Sequence, residues 1–426
     1  MKYVLCTLCR ILNIISGMKL INLFSLFIAL SVSCNSIAAD KYEPGMEFDA
    51  VVPGSGVHIK LYVPSNYNSE RKWPLVIFYH GVNGSPTTDC IVRHCGGKDF
   101  IVVGMSYCEK HATRLSQPQQ AAYIEKERKS FRAAVGWVKN NLSLDTERVF
   151  MGGISKGGWT TSFVGEREMG NLAGMIIVLA GHQRGAVPGA QSMTGFPVYI
   201  GAGELDPNQL AGVHAVGFYR HCGANVSYEE YEGLGHQVSE RAARLAQWLE
   251  AYGPQSHAWI DGAEKESRKA EYKKAYESAV ALADKTQACE GLRALLHDPR
   301  LLVACGSKTR KAIAGKLNIM AKDDAATMKL LKAEQFFYDL VWKEWRMKTV
   351  DDTQVVLDGY SRLAKAASGT GYEIYAQKSY ERLLPMYSSA RKQMEQIKAR
   401  QKSVPRKIAP RTRMRNSNGS GSTRVF

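Results

Sequence analysis

The chain has 426 residues, 45% of them hydrophobic and 23% charged, and a formal net charge of +16. That length exceeds one ordinary domain, and the composition is that of a largely globular chain, which excludes a wholly disordered one. The charge is unevenly placed: residues 40–253 hold 20 basic against 21 acidic side chains, while the nine Lys and Arg after Gln396 face no acid. The excess is a property of the tail, so the global charge does not argue for a nucleic-acid enzyme, and no nucleic-acid partner is expected.

The first forty residues read as an export signal. Lys2, Arg10 and Lys19 precede an apolar run from Leu20 to Val32, and Ser36-Ile37-Ala38-Ala39 supplies small residues for cleavage. The order of preference is cleavage near Ala39, then a lipoprotein at Cys34, then an uncleaved anchor, for which the apolar core is short. Met18-Lys19 competes with Met1 as the start of translation. Six cysteines remain beyond the leader, and an even count in an exported chain predicts three disulfides. Proximity favours Cys289 with Cys305, and a link among Cys90, Cys95 and Cys108.

Val57–Val63 alternates at period two and predicts an antiparallel strand, whereas Pro74–Tyr79 and Phe100–Met105 are apolar throughout, as strands buried on both faces are. Gln117–Asn141 predicts a long helix. Strands follow at Arg148–Gly152, Met175–Leu179, Pro197–Gly201 and Val226–Tyr231, with helical segments between them and Gln237–Tyr252 closing the unit. Strands alternating with helices predict a three-layer α/β fold, a mostly parallel sheet with helices on both faces, whose catalytic loops lie at the strands' carboxyl ends. After Gly253-Pro254 the chain is rich in Ala, Lys, Glu and Leu and lacks strand-like runs. It predicts several helices, Glu271–Ala283 and Lys329–Lys343 the clearest, with Pro299, Ser368-Gly369 and Pro385 as breaks. The expected divisions are a signal peptide at 1–39, a catalytic domain at 40–253, a helical region at 254–402 and a disordered basic tail at 403–426.

Gly153-Ile154-Ser155-Lys156-Gly157 stands between the strand at Arg148–Gly152 and a helix, the context in which G-x-S-x-G becomes a nucleophile elbow. A pentapeptide in a glycine-rich chain is a weak signal, and its companions decide the matter. Asp206 follows the strand that ends at Gly201, with Glu204 as the reserve acid, and His236 follows the next strand. An acyl-transferring serine needs a base and an orienting acid, in the order Ser, Asp, His on this architecture. Tyr79-His80-Gly81-Val82 follows an early buried strand, where half of an oxyanion hole belongs. The backbone N–H groups of Val82 and Lys156 are the expected donors. The Lys156 side chain reads as an exposed lysine and His80 as a brace for the loop.

With His80-Gly81, the Ser155 pentapeptide, Asp206 and His236 in place, residues 48–253 resemble an α/β-hydrolase. They are most similar to secreted esterases of the polyhydroxybutyrate-depolymerase, feruloyl-esterase and dienelactone-hydrolase kind. The resemblance implies a serine esterase that works through an acyl-enzyme with no metal or organic cofactor. About fifty residues separate Ser155 from Asp206, too few for a large cap. The expected substrate is therefore a bulky or polymer-linked ester. The competing readings are a serine peptidase or thioesterase on the same fold, and a binding or scaffold protein working through its helical region. The basic tail allows contact with an anionic surface, and nothing in the sequence fixes the oligomeric state.

Overall fold

The computed structural model describes residues 42–108, 117–182, 193–253 and 262–403. The expected leader, the Cys34 lipid site, the Met18 start and nearly all of the basic tail lie outside the described residues. The chain forms two compact units that divide between Gly174 and Met175.

The first unit holds β1 (Glu47–Val52), β2 (Val57–Tyr62), β3 (Trp73–Tyr79), β4 (Ile101–Met105) and β5 (Leu144–Ile154). Their spatial order is β1-β2-β4-β3-β5. β2 runs antiparallel to β1 and to β4, while β3 runs parallel to β4 and β5. Every residue of β3 and β4 is buried, which explains why those two stretches are apolar throughout rather than alternating. Three helices accompany them: α1 (Asp89–His94), α2 (Gln117–Asn141) and α3 (Lys156–Glu168). α2 and α3 are clamped through the fully buried carboxylate of Glu168, which accepts from Arg128 at 2.6 Å and from Arg132 at 3.0 Å.

In the second unit β6 (Gly174–Val178), β7 (Pro197–Gly203) and β8 (Asn225–Tyr231) pair in parallel in that order. α4 (Gln209–His221) and α5 (Ala243–Tyr252) belong to the same α/β pattern. The orders and directions within each unit are those of an α/β-hydrolase, the fold class expected from the sequence. An all-helical C-terminal region follows: α6 (Gly262–Ala281), α7 (Lys285–His297), α8 (Pro299–Met320), α9 (Ala325–Trp345), α10 (Val350–Ala366) and α11 (Gly371–Ser403).

Pro299 occupies the first turn of α8, where its missing N–H costs nothing, and Asp298 caps that helix by accepting the Arg300 N–H. Pro385, expected to break the chain, lies inside α11 instead.

The helical region packs on the α/β part of its own unit. A Cβ at Gly217 of α4 would lie 2.8 Å from the Tyr338 ring of α9, so the two helices touch closely. The His221 and Trp342 rings stack at 5.3 Å, and Arg220 pairs with Glu334 at 2.7 Å. Deeper in, Glu344 of α9 accepts from Arg382 of α11 at 2.6 Å and from the Tyr360 hydroxyl of α10 at 3.0 Å. His214 of α4 meets the Ser379 hydroxyl of α11 at 2.9 Å. These buried polar groups have partners, the condition under which they can be retained in a core.

The expected disulfide between Cys289 and Cys305 is not formed. Cys289 is fully buried among Leu292, Leu301 and Leu317, with Cys305 packed against the same cluster, and each thiol behaves as a small apolar group. Burial raises the pKa of both. Cys90, Cys95, Cys108 and Cys222 are likewise unbridged, so none of the three expected disulfides forms; burial pushes the Cys90 and Cys95 thiols up to about 12 and about 11.

Candidate active site

The first unit positions Ser155. It sits between β5 and α3 at φ 56°, ψ −117°, in the half of backbone space that L-residues with a Cβ avoid. Such an outlier persists only where its surroundings over-determine it. Here the glycines do so. A Cβ on Gly153 would fall 2.4 Å from the Gly157 carbonyl carbon, and one on Gly157 would fall 2.1 Å from the Tyr79 carbonyl oxygen. The turn can be this tight, and α3 can rest on the end of β3, only because both positions lack side chains.

The loop after β3 lies against the same turn. A Cβ on Gly81 would be 3.6 Å from the Ser155 Cβ. The loop turns through Asn83, which adopts φ 60°, and Gly84 N–H donates to the Gly81 carbonyl at 3.2 Å. His80 Nδ1 donates to the Gly81 carbonyl at 2.6 Å, and the Tyr107 hydroxyl donates to the His80 carbonyl. His80 therefore braces the loop, as expected. Burial holds its pKa below the ordinary histidine value, with nearby Lys156 adding to the effect against the pull of the Gly81 carbonyl. Val82 lies in this loop with its side chain exposed, and Lys156 opens α3 directly after Ser155.

The Lys156 side chain is not the exposed lysine expected. It is half-buried, with its ammonium 3.9 Å from the centroid of the Tyr107 ring. Burial lowers its pKa, opposed by the nearby carboxylate of Glu127. Glu127 of α2 is itself wholly buried and accepts the Cys108 N–H at 2.7 Å, and burial raises its pKa. Sequence reasoning missed this inward-turned set. The hydrophobic neighbours of Glu127 on a long helix were the available signal.

In the second unit Asp206 and His236 meet. His236 Nδ1 lies 3.0 Å from each carboxylate oxygen of Asp206, whose side chain is buried. A carboxylate only accepts, so the neutral ring carries its hydrogen on Nδ1 and leaves Nε2 as the basic nitrogen. Asp206 Oδ1 also accepts the Asn208 N–H at 2.7 Å, an Asx-type bond that fixes the carboxylate as the chain enters α4.

The two loops that carry this pair are laced together. Leu205 N–H donates to the Leu234 carbonyl at 2.8 Å, and a Cβ on Gly203 would fall 2.1 Å from the Gly235 carbonyl oxygen. Glu204, the reserve acid, accepts the Gly233 N–H at 2.7 Å. Its part is to hold the histidine loop. Sequence reasoning missed Gly203, Glu204 and Asn208 in these supporting parts because each depends on how close two loops come in space.

No protein-family model matches the chain, and no curated protein does. Among solved structures it is similar to a carboxylesterase from Mesorhizobium loti, at 17% identity and a TM-score of 0.40, over 47% of this chain and 98% of that one. It is similar to the esterase of Pyrobaculum calidifontis at 17% identity and a TM-score of 0.38, over 55% of this chain and 92% of that one. A ferulic acid esterase from Anaeromyces mucronatus matches at 13% identity and a TM-score of 0.36, over 47% of this chain and 87% of that one.

Proposed function

We propose that the protein is an exported serine hydrolase that cleaves carboxylic esters, with Ser155 as nucleophile, His236 as base and Asp206 as the orienting acid. The observation that carries this reading is the Asp206–His236 pair, a buried carboxylate holding one ring nitrogen at 3.0 Å on two adjacent strand-end loops. The strained backbone of Ser155 supports it independently.

In the proposed mechanism His236 Nε2 takes the Ser155 hydroxyl proton as Oγ attacks the ester carbonyl. Asp206 keeps the ring in the required tautomer and stabilises the imidazolium that forms. The N–H groups of Val82 and Lys156 hold the oxyanion; collapse expels the alcohol, which takes the proton from His236. Water then enters by the same proton path, giving the carboxylic acid and restoring Ser155. The short stretch between Ser155 and Asp206 supports a bulky or polymer-linked ester. Export rests on the charged, apolar and small-residue pattern of residues 1–39.

The test is Ser155→Ala. Turnover of p-nitrophenyl acetate should fall by on the order of 10⁵-fold or more, and fluorophosphonate labelling should vanish. Labelling of the variant at the unmodified level refutes the nucleophile. A panel of acetyl, feruloyl, thioester and peptide substrates then ranks ester against thioester and amide.

A further inference from the structure

Within the second unit, α4, α7, α8 and α9 line a cavity of about 820 Å³. Arg220, Arg293, Arg310, Lys311 and Lys332 face it, against the single carboxylate of Glu334. That carboxylate is already engaged, 2.7 Å from Arg220 and 3.6 Å from Arg293. Arg220 also rests over the Tyr338 ring at 4.9 Å. Among the described residues no ion pair neutralises Arg310, Lys311 or Lys332.

The surplus is felt locally. Burial and the nearby charge of Arg220 hold Arg310 below its usual range, and burial with Arg220 and Arg244 pushes His297 down to about 4. Leu296, Leu317, Met328 and Leu331 supply an apolar part of the wall, beside the polar Asn225, Ser307, Asn318 and Gln335.

Arg220, Arg293 and Arg310 are half-buried while Lys311 and Lys332 reach solvent at the rim. Like charge gathered among the arginines raises the energy of the empty cavity because the medium between them screens poorly. A purely structural cluster would lower that energy with counter-charges, as Glu334 does for Arg220 and Arg293. Three further cations without such partners leave a positive field over a partly apolar wall. Guanidinium forks match phosphate oxygens in geometry, and an excess of more than one charge selects a dianion over a monocarboxylate.

We propose that this cavity binds an amphipathic phosphate, a phosphomonoester of a hydrocarbon chain. Arg293, Arg310 and Lys332 hold its dianionic head, and Leu296, Met328 and Leu331 receive the chain. The site shares no residue with the proposed triad, so the two readings stand or fall separately.

The test is calorimetric titration of the full chain with octyl phosphate below its micelle concentration, beside inorganic phosphate and octanol. Octyl phosphate should bind at least about tenfold more tightly than either, since charge and apolar burial both contribute. An Arg310→Ala/Lys332→Ala variant should lose about tenfold or more in affinity for octyl phosphate with an unchanged melting temperature. The assignment is overturned if inorganic phosphate or octanol binds as tightly as octyl phosphate, or if the folded double variant binds it undiminished. Should that variant fail to fold, raising the salt on the unsubstituted protein decides. Affinity must fall as the charges are screened, and a salt-independent affinity overturns the proposal.

Discussion

Gly157→Ala is the sharpest perturbation of the nucleophile turn. The added Cβ would stand 2.1 Å from the Tyr79 carbonyl oxygen, 2.7 Å from its carbon and 2.8 Å from the His80 carbonyl oxygen. All three are backbone atoms, so no flexible side chain can swing aside. The closest contact is roughly 1 Å too short, and α3 must move off the end of β3 by about that distance. Overpacking of this kind costs about 1–3 kcal/mol, which lowers the melting temperature by roughly 5 °C. The functional loss should be larger, because the atoms displaced are those that hold Ser155 against the His80-Gly81 loop. A misplacement near 1 Å at a reacting group costs about 10²-fold in rate. Gly136→Ala is the control: a Cβ there meets nothing within 4 Å, so melting temperature and turnover should both hold or improve slightly. The assay is kcat/KM for p-nitrophenyl acetate beside thermal unfolding of both variants. A Gly157→Ala protein within threefold of the parent in kcat/KM would refute the argument that this contact sets the nucleophile geometry.

Asp206→Asn should lower kcat by on the order of 10⁴ with little change in folding, because the amide can stabilise the wrong ring tautomer of His236. Glu204→Ala, which removes only the bond to Gly233, should cost less than about tenfold; equal losses in the two variants would show that the acid has been misassigned. His214 predicts an acid limit to stability. Burial pushes its folded-state value down to about 4 from 6.5, although the Glu344 carboxylate 3.8 Å away favours its charge. The group therefore contributes fully above pH 6.5. As pH falls from there toward 4 the unfolded chain takes up a proton that the folded one refuses, and roughly 3 kcal/mol is lost. His214→Gln should flatten part of the decline in urea midpoint across that window, and an unchanged slope would refute the assignment.

The α/β architecture was legible because its signals are local and steric. Apolar β3 and β4 announced strands buried on both faces, and the period-two pattern of Val57–Val63 announced an antiparallel neighbour. The Ser155 turn could be read for the same reason: an elbow this tight requires glycine at Gly153 and Gly157, and such a requirement leaves its mark in sequence. Asp206 and His236 could be placed because each must follow its own strand. The rest depends on approach in three dimensions. The sequence preferred Asp206 to Glu204 for the Pro and Asn that follow it, but that Asp206 meets His236 while Glu204 bonds the Gly233 N–H depends on the folded loops. Nor could it show that Lys156 turns inward onto Tyr107, or that Pro385 would be carried within α11.

The least legible feature was the relation of the helical region to the α/β strands of its own unit. Read as sequence, it was a set of helices of undetermined purpose. In the structure α9 and α11 grip α4, the helix that begins just after Asp206. They do so through Gly217, Arg220–Glu334, His214–Ser379 and the bond from Lys378 to Gln209 at 2.7 Å. Gln209 in turn donates to Glu230 of β8, which also accepts from Tyr375 of α11. The acid of the proposed triad thus stands at the head of a helix held from both sides, by its own sheet and by the C-terminal helices. A carboxylate that must keep a histidine within hydrogen-bonding distance gains from rigidity at its own backbone. The helical region thus belongs to the architecture that holds the proposed acid, and it also forms the wall of the basic cavity.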